Sequence, residues 1–507
     1  MTQMTHWSLS ASTAIALVLS AGSALAITPE EVWANWQALA TEGGGTLTAA
    51  SQTKTGAALE LTGVVQTTTT PEVTIHVAMD KVTLTDKGDG TVQIVTSDSY
   101  PLSVIEPGKT PDQAAAVITF SQPGGSWVAS GTPEAVTWDF SYPTVTATLT
   151  KAQEDGKPLD VKGTMTLTDL SGTITTGAQA DKPVAMKYAL NIGSLALSAD
   201  GRNPSANEEF AVTVGLSDLV ASATGTVLPQ AQMVNMAEAL KAGFAVDSSS
   251  STGALKVDVK WSDNAGPNAF GLELGGTSTK VKLDATAIDY GFGLMAGKFN
   301  ANAPGGGMPP VDGSFSEIGL SVAMPVSKTD APQPFAFVTR LVDVAVSDTI
   351  WGMIDPGAQL PHDPATLILD LKGTGAWAVD ILDPAIQNGS VPMPDMPATL
   401  NTLDLTQLLL KIVGGEITGT GALTFDNSDL VTFGGIPAPE GKLSFNLKGI
   451  NALIDKAVAM GFLPEDQVMG VRMGLAMFAK PGAGPDELTS EVEFKNKGLF
   501  VNGQQLQ

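Results

Sequence analysis

The 507-residue sequence predicts a mainly β protein, with long antiparallel meanders in two lobes and a few short helices. Three observations lead there. The first is period-two alternation. Leu255, Val257, Val259 and Trp261 alternate with Lys256, Asp258 and Lys260; Leu443, Phe445 and Leu447 alternate with Ser444, Asn446 and Lys448. This pattern sorts apolar and polar side chains onto opposite sheet faces, as in half-buried antiparallel strands. The second is turn chemistry between such runs, as in Asp86-Lys87-Gly88-Asp89-Gly90 and Asp263-Asn264-Ala265-Gly266. The third is composition. Hydrophobic residues are 43% and charged residues only 16%, which excludes a charged coiled coil or a disordered acidic chain.

The elements follow in order. Leu9 to Ser23 is an uncharged, largely apolar run, and Ala24-Leu25-Ala26 is an A-x-A pattern. Residues 1–26 therefore read as a secretory signal peptide cleaved between Ala26 and Ile27. A β-rich lobe is expected over 27–230 and a second over 231–507. Thr28-Pro29-Glu30-Glu31 opens a helix: Thr28 caps it, Pro29 suits the first turn and Glu31 completes a capping box. Strands follow, among them Val73, Ile75, Val77 and Val161, Met165, Leu167. A second helix is expected from about Pro229 to Ala242. Asn302 to Gly313, Pro325 to Pro334 and Val391 to Pro397 are rich in Pro or Gly and read as linkers. A helical pair is expected at about 450–480. Its first member has Ile450, Leu453, Ile454 and Ala457 at helical spacing; its second starts at Pro464 and presents two apolar stripes, Val468, Val471, Leu475, Phe478 and Met469, Met473, Met477. The pair reads as a cover for one end of a sheet. A membrane-surface hairpin would need more basic residues than Arg472 alone between Asp466 and Lys480. Sheets this extensive must hide their apolar faces by packing, closing, or curving around an apolar groove.

The chemistry is sparse. The absence of Cys excludes disulfides, thiolate metal sites and a Cys nucleophile. A net charge of −25 would repel nucleic acid. No segment after the signal is long and apolar enough for a transmembrane helix. No G-x-G-x-x-G or G-x-S-x-G motif occurs in the mature chain, and Pro107-Gly108-Lys109-Thr110 lacks the first glycine of a phosphate loop. No cofactor or metal is expected. His76 falls on the polar face of its strand. His362, beside Asp363 and seven residues after Asp355, forms a candidate base with an orienting carboxylate. The same residues are also ordinary turn vocabulary.

Lys372-Gly-Thr-Gly-Ala-Trp-Ala-Val-Asp380 and Thr418-Gly-Thr-Gly-Ala-Leu-Thr-Phe-Asp426 are alike, with Lys162 to Asp169 a fainter copy. Taken with Pro439 to Gly449, Phe494 to Gly503, Thr28 to Trp33 and Trp351 to Pro356, the chain resembles an alphaproteobacterial exported family of unknown function. The closing pattern is also similar, more loosely, to AsmA-like envelope β-proteins. That likeness implies curved sheets with apolar inner faces that hold lipids. The first functional reading is an exported periplasmic protein that binds or carries a lipid or other hydrophobic ligand. The second is a structural or interaction protein of the cell envelope, with envelope proteins as partners. The third is a hydrolase using His362 with Asp355 or Asp363. Outer-membrane association and release are the alternatives to a periplasmic location.

Overall fold

The computed structural model describes residues 27–506 except 43, 134, 178–183, 204–207, 230–231, 265, 305–308 and 395. The segment read as a signal, with Ala26, lies outside the described residues. Strands account for 63% of the described residues and helices for 13%, so the fold is mainly β. Every pairing between the named strands is antiparallel, as the alternation requires. Two compact units divide between Ile192 and Gly193, within the strand Val184–Asn203. The boundary placed at 230/231 from sequence lies inside the second unit.

The first unit opens with the helix Pro29–Glu42. The capping box forms as its residue types dictate: the Glu31 carboxylate accepts from the Thr28 amide and hydroxyl, both at 2.8 Å, and the Glu31 amide donates to Thr28 Oγ1. The helix buries Val32 and Trp33 among Leu47, Leu61, Val82 and Ile94, together with Ile27. Gly45–Thr55 and Ala58–Thr69 form a hairpin, and Thr74–Asp86 pairs with the second of these. Thr74–Asp86 then serves two short strands, Val92–Thr96 at one end and Ser99–Ile105 at the other. These continue to Ser126–Thr132 and Ala116–Ser121, and both converge on the long strand Ala135–Glu154. Asp160–Gly177 pairs alongside. Asp86 and Asp89 close the predicted turn by accepting from the amides of Gly88 and Thr91.

The second unit repeats that pairing diagram. Glu208–Val227 serves Ala245–Thr252 and Leu255–Asp263, which continue to Gly276–Leu283 and Gly266–Leu274. Both converge on the long strand Ala287–Asn302. From there a simple meander runs through Val311–Pro325, Gln333–Val346, Ala365–Trp377, Ala398–Ile412, Gly415–Asp426, Ala438–Lys448, Glu487–Lys495 and Gly498–Val501.

Several expectations change. Asn302 to Gly313 and Pro325 to Pro334 connect hydrogen-bonded neighbours and are hairpin loops, not linkers. Val391 to Pro397 likewise leads between paired strands. Within the span Pro229 to Ala242 expected as a helix, Met236–Lys241 is α-helical, and the Asn235 side chain accepts from the Glu238 amide; residues 230–231 lie outside the described residues. Short helices at Asp348–Ile354 and Pro384–Gln387 were not foreseen. The helical pair forms at Ile450–Ala459 and Glu465–Phe478, but neither helix has a fully buried residue. Met469, Met473 and Met477 are 71%, 67% and 59% exposed, so that stripe faces outward, while Val468 and Leu475 of the other stripe are half-buried.

Candidate functional site

The register of the second unit's meander aligns its apolar positions into rows. In antiparallel pairs, directly opposed residues point to the same face. One row runs Tyr290, Val322, Phe337, Leu371, Leu405, Gly421, Leu443, Val492, Val501. Another runs Leu294, Ile318, Leu341, Leu367, Leu410, Ile417, Leu447, Leu488. The opposite face is polar, with Lys372, Asp404, Lys442 and Glu493 in one row. A register shift between Leu405 and Leu408 keeps this separation. An unbroken strand through Leu403-Asp-Leu-Thr-Gln-Leu-Leu-Leu410 would turn Leu408 and Leu410 to the polar side; the bulge returns them to the apolar one.

The apolar face remains partly open. Leu371, Leu405 and Leu443 are only half-buried, and Leu320 and Leu341 are each 37% exposed. At one end a hollow of about 420 Å³ lies over Val322, Phe335, Phe337, Trp377 and Leu400, with Met396 at its side. Trp377 donates Nε1 to the Pro325 carbonyl at 2.8 Å, which satisfies its polar edge and leaves its ring available to the hollow. No charged side chain lines this hollow; Thr399 supplies the one side-chain hydroxyl. Such a lining binds by exclusion of water and offers no acid, base or nucleophile.

The hydrolytic candidates sit elsewhere in the unit. The structure brings His362 and Asp355 near each other and leaves Asp363 exposed. Asp355 is buried, and its Oδ2 accepts from the Leu360 amide at 2.6 Å. That backbone bond holds its carboxyl below the usual aspartate value, against the opposing effect of burial. His362 Nε2 lies 3.7 Å from Asp355 Oδ2 and Nδ1 lies 3.7 Å from Asp348 Oδ1, both beyond hydrogen-bond reach. The imidazole instead stacks on Trp351, with centroids 4.3 Å apart and planes 5° from parallel. Asp355 Oδ1 and His362 Nε2 are buried without hydrogen-bond partners. Among the described residues no hydroxyl is hydrogen-bonded to either group. Among the described residues no group of three or more His, Cys, Asp or Glu side chains is placed to hold a metal ion. His76 lies between Thr67 and Ser103 of the flanking strands, with Nδ1 3.4 Å from Thr67 Oγ1.

Sequence reasoning did not single out Phe335, Phe337 or Leu400 as site residues. Their signal was present as the alternation of Phe335 and Phe337 with Ala336, but only strand register reveals which apolar positions on different strands share one face.

Residues 300–506 match a family model described as an uncharacterized protein conserved in bacteria (DUF2125). The match includes the hollow, the helical pair and the rows from Val322 and Ile318 onward; Tyr290 and Leu294, which open those rows, precede it. Thr28 to Trp33, part of the resemblance read from sequence, lies outside it. Neither a curated protein nor a solved structure matches the chain.

Proposed function

We propose that this chain is an exported, periplasmic protein that binds or carries a lipid or a similar ligand with a long apolar segment. The open apolar face of the second unit is the site. The observation that supports it most is the row from Tyr290 to Val492: successive strands place apolar residues in one line that the rest of the sheet leaves half-exposed. A contiguous exposed apolar patch is uncommon on soluble proteins and marks a ligand or partner surface. The hollow over Phe335, Phe337 and Trp377 would take the end of such a ligand. The looser resemblance to AsmA-like proteins implies the same kind of cargo.

Mass spectrometry of small molecules extracted from natively purified protein tests this. A stoichiometric lipid is expected with the native chain, and its loss with Phe337→Asp, which sets a carboxylate on the row. Ligand-free native protein would remove the proposal. The alternative, an envelope interaction protein, is favoured by the outward Met469, Met473 and Met477 stripe, and ligand-free protein together with a specific envelope partner would support it.

A further inference from the structure

A helix on a protein surface ordinarily turns charged residues to water. The helix Glu465–Phe478 does not. Val468 and Leu475 form its half-buried side, and Met469, Met473 and Met477 make a ridge on the outward side. The chain has 52 acidic residues, yet none falls between Gln467 and Ala479. The one basic residue in that stretch, Arg472, is engaged by Asp455 of the preceding helix. Beside the ridge, Gly470 and Gly474 have nothing within 4 Å of where a Cβ would stand, so the helix backbone is open to close approach.

The order of residues along the helix says what fits this face. Met473 is central. Met469 and Met477 lie four residues to either side, and Asp466 and Lys480, both exposed, lie seven residues to either side. An antiparallel second copy, turned about a two-fold axis at Met473, sets Met469 against the other copy's Met477 and lays each ridge along the other's glycines. It also brings Asp466 toward the other copy's Lys480, so each acidic helix start meets a basic helix end. A parallel copy would oppose like charges at both ends.

From these features we infer that two copies of this chain associate through antiparallel Glu465–Phe478 helices. The inference goes beyond the lipid reading and uses no residue of the open apolar row. One helix per copy, about 20 Å long, makes a small interface and sets the affinity in the micromolar range.

Sedimentation equilibrium of the purified full chain tests it, at up to about 200 μM protein. Salt at about 0.15 M screens the net charge of −25. The expected result is a reversible monomer–dimer equilibrium. Met473→Glu sets two carboxylates at the axis and should weaken it at least about tenfold. Asp466→Lys and Lys480→Asp should each weaken it about fivefold, and both together in one chain should restore it, because the reversed pair is again complementary. All three positions are exposed, so these variants keep the fold. Phe337→Asp should leave the dimer intact. A chain monomeric at every concentration, a dimer indifferent to Met473→Glu, charge reversals that do not compensate, or loss with Phe337→Asp would each overturn the inference. So would a monomer that uses this face to bind phosphatidylcholine vesicles or a different envelope protein.

Discussion

Gly172, Gly297, Gly313, Gly373 and Gly419 each sit directly opposite a phenylalanine on the neighbouring strand: Phe140, Phe315, Phe299, Phe335 and Phe445. A Cβ at any of them would run into the facing ring. The missing side chain lets the ring lie across the adjacent strand, which restores packing that glycine alone would forfeit. Gly421 faces no ring: a Cβ there meets backbone, the Lys442 carbonyl and Leu443 Cα, which cannot swing aside. Gly421→Ala should destabilise the fold by about 1–3 kcal/mol in urea denaturation. Gly352→Ala, in a short helix with nothing nearby, should be neutral or stabilising by up to about 1 kcal/mol. Equal effects would contradict the packing argument. Asp355 gives a pH-dependent case. Its carboxyl titrates below the ordinary value of 3.8, so its stabilisation is complete above that value and is lost as pH falls through the lowered one. Asp355→Asn should therefore be less stable than the native chain near neutral pH, with the gap closing in acid; a gap that widens in acid would reverse the assignment. The candidate pair itself was legible only in part. The sequence put Asp355 and His362 in one loop. The stacking on Trp351 that takes up the imidazole depends on how the loop folds back.

Among the secondary-structure elements, local signals were read well and distant ones were not. The capping box at Thr28 involves four consecutive residues, so the sequence displays it whole. The helix Ile450–Ala459 was placed correctly from its apolar spacing, but its anchor was hidden. Gly449, at its start, has no side chain to cap it; Asp486 accepts from the amides of Asn451 and Ala452 and from the Asn451 side chain. Partial burial of Asp486 opposes its ionisation, and these donors outweigh it, so its carboxyl is lowered. Asp486→Ala should loosen the first turn and raise amide exchange across 450–459 by about tenfold, with little change in the Gly415–Asp426 strand. Unchanged exchange in the helix would mean that packing alone holds it. The helices Asp348–Ile354 and Pro384–Gln387 were missed because one or two turns cannot establish a period. The Pro- and Gly-rich stretches were misread as linkers because hairpin loops use the same residues.

Across the whole molecule, export and stability give two tests. The intact mass of protein recovered from the periplasm should match a chain starting at Ile27, and a chain that retains residues 1–26 would count against the proposed export. The fully buried aliphatic cluster lies in the first unit. Its strands Ala58–Thr69 and Thr74–Asp86 should therefore show the slowest amide exchange, and added lipid should slow exchange chiefly in Val311–Pro325 and Gln333–Val346. Similar slowing in both units would argue against a site confined to the second. The β class was readable throughout because alternation is local. The shared pairing diagram of the two units was not, because it resides in which strands meet. The similarity of Lys372–Asp380 to Thr418–Asp426 falls instead on two strands of the meander that Ala398–Ile412 separates.

That meander has a mechanical consequence. From Ala287–Asn302 onward each strand pairs with the strands before and after it in the chain, so cohesion passes along a line of nearest neighbours. Such arrays can assemble by zipping, one short loop closure at a time, and can fray from a free end without dissolving the remainder. Gly498–Val501 lies several strands from Gln333–Val346 along this line, so its pairing with Glu487–Lys495 can open while the strands around Phe337 stay paired.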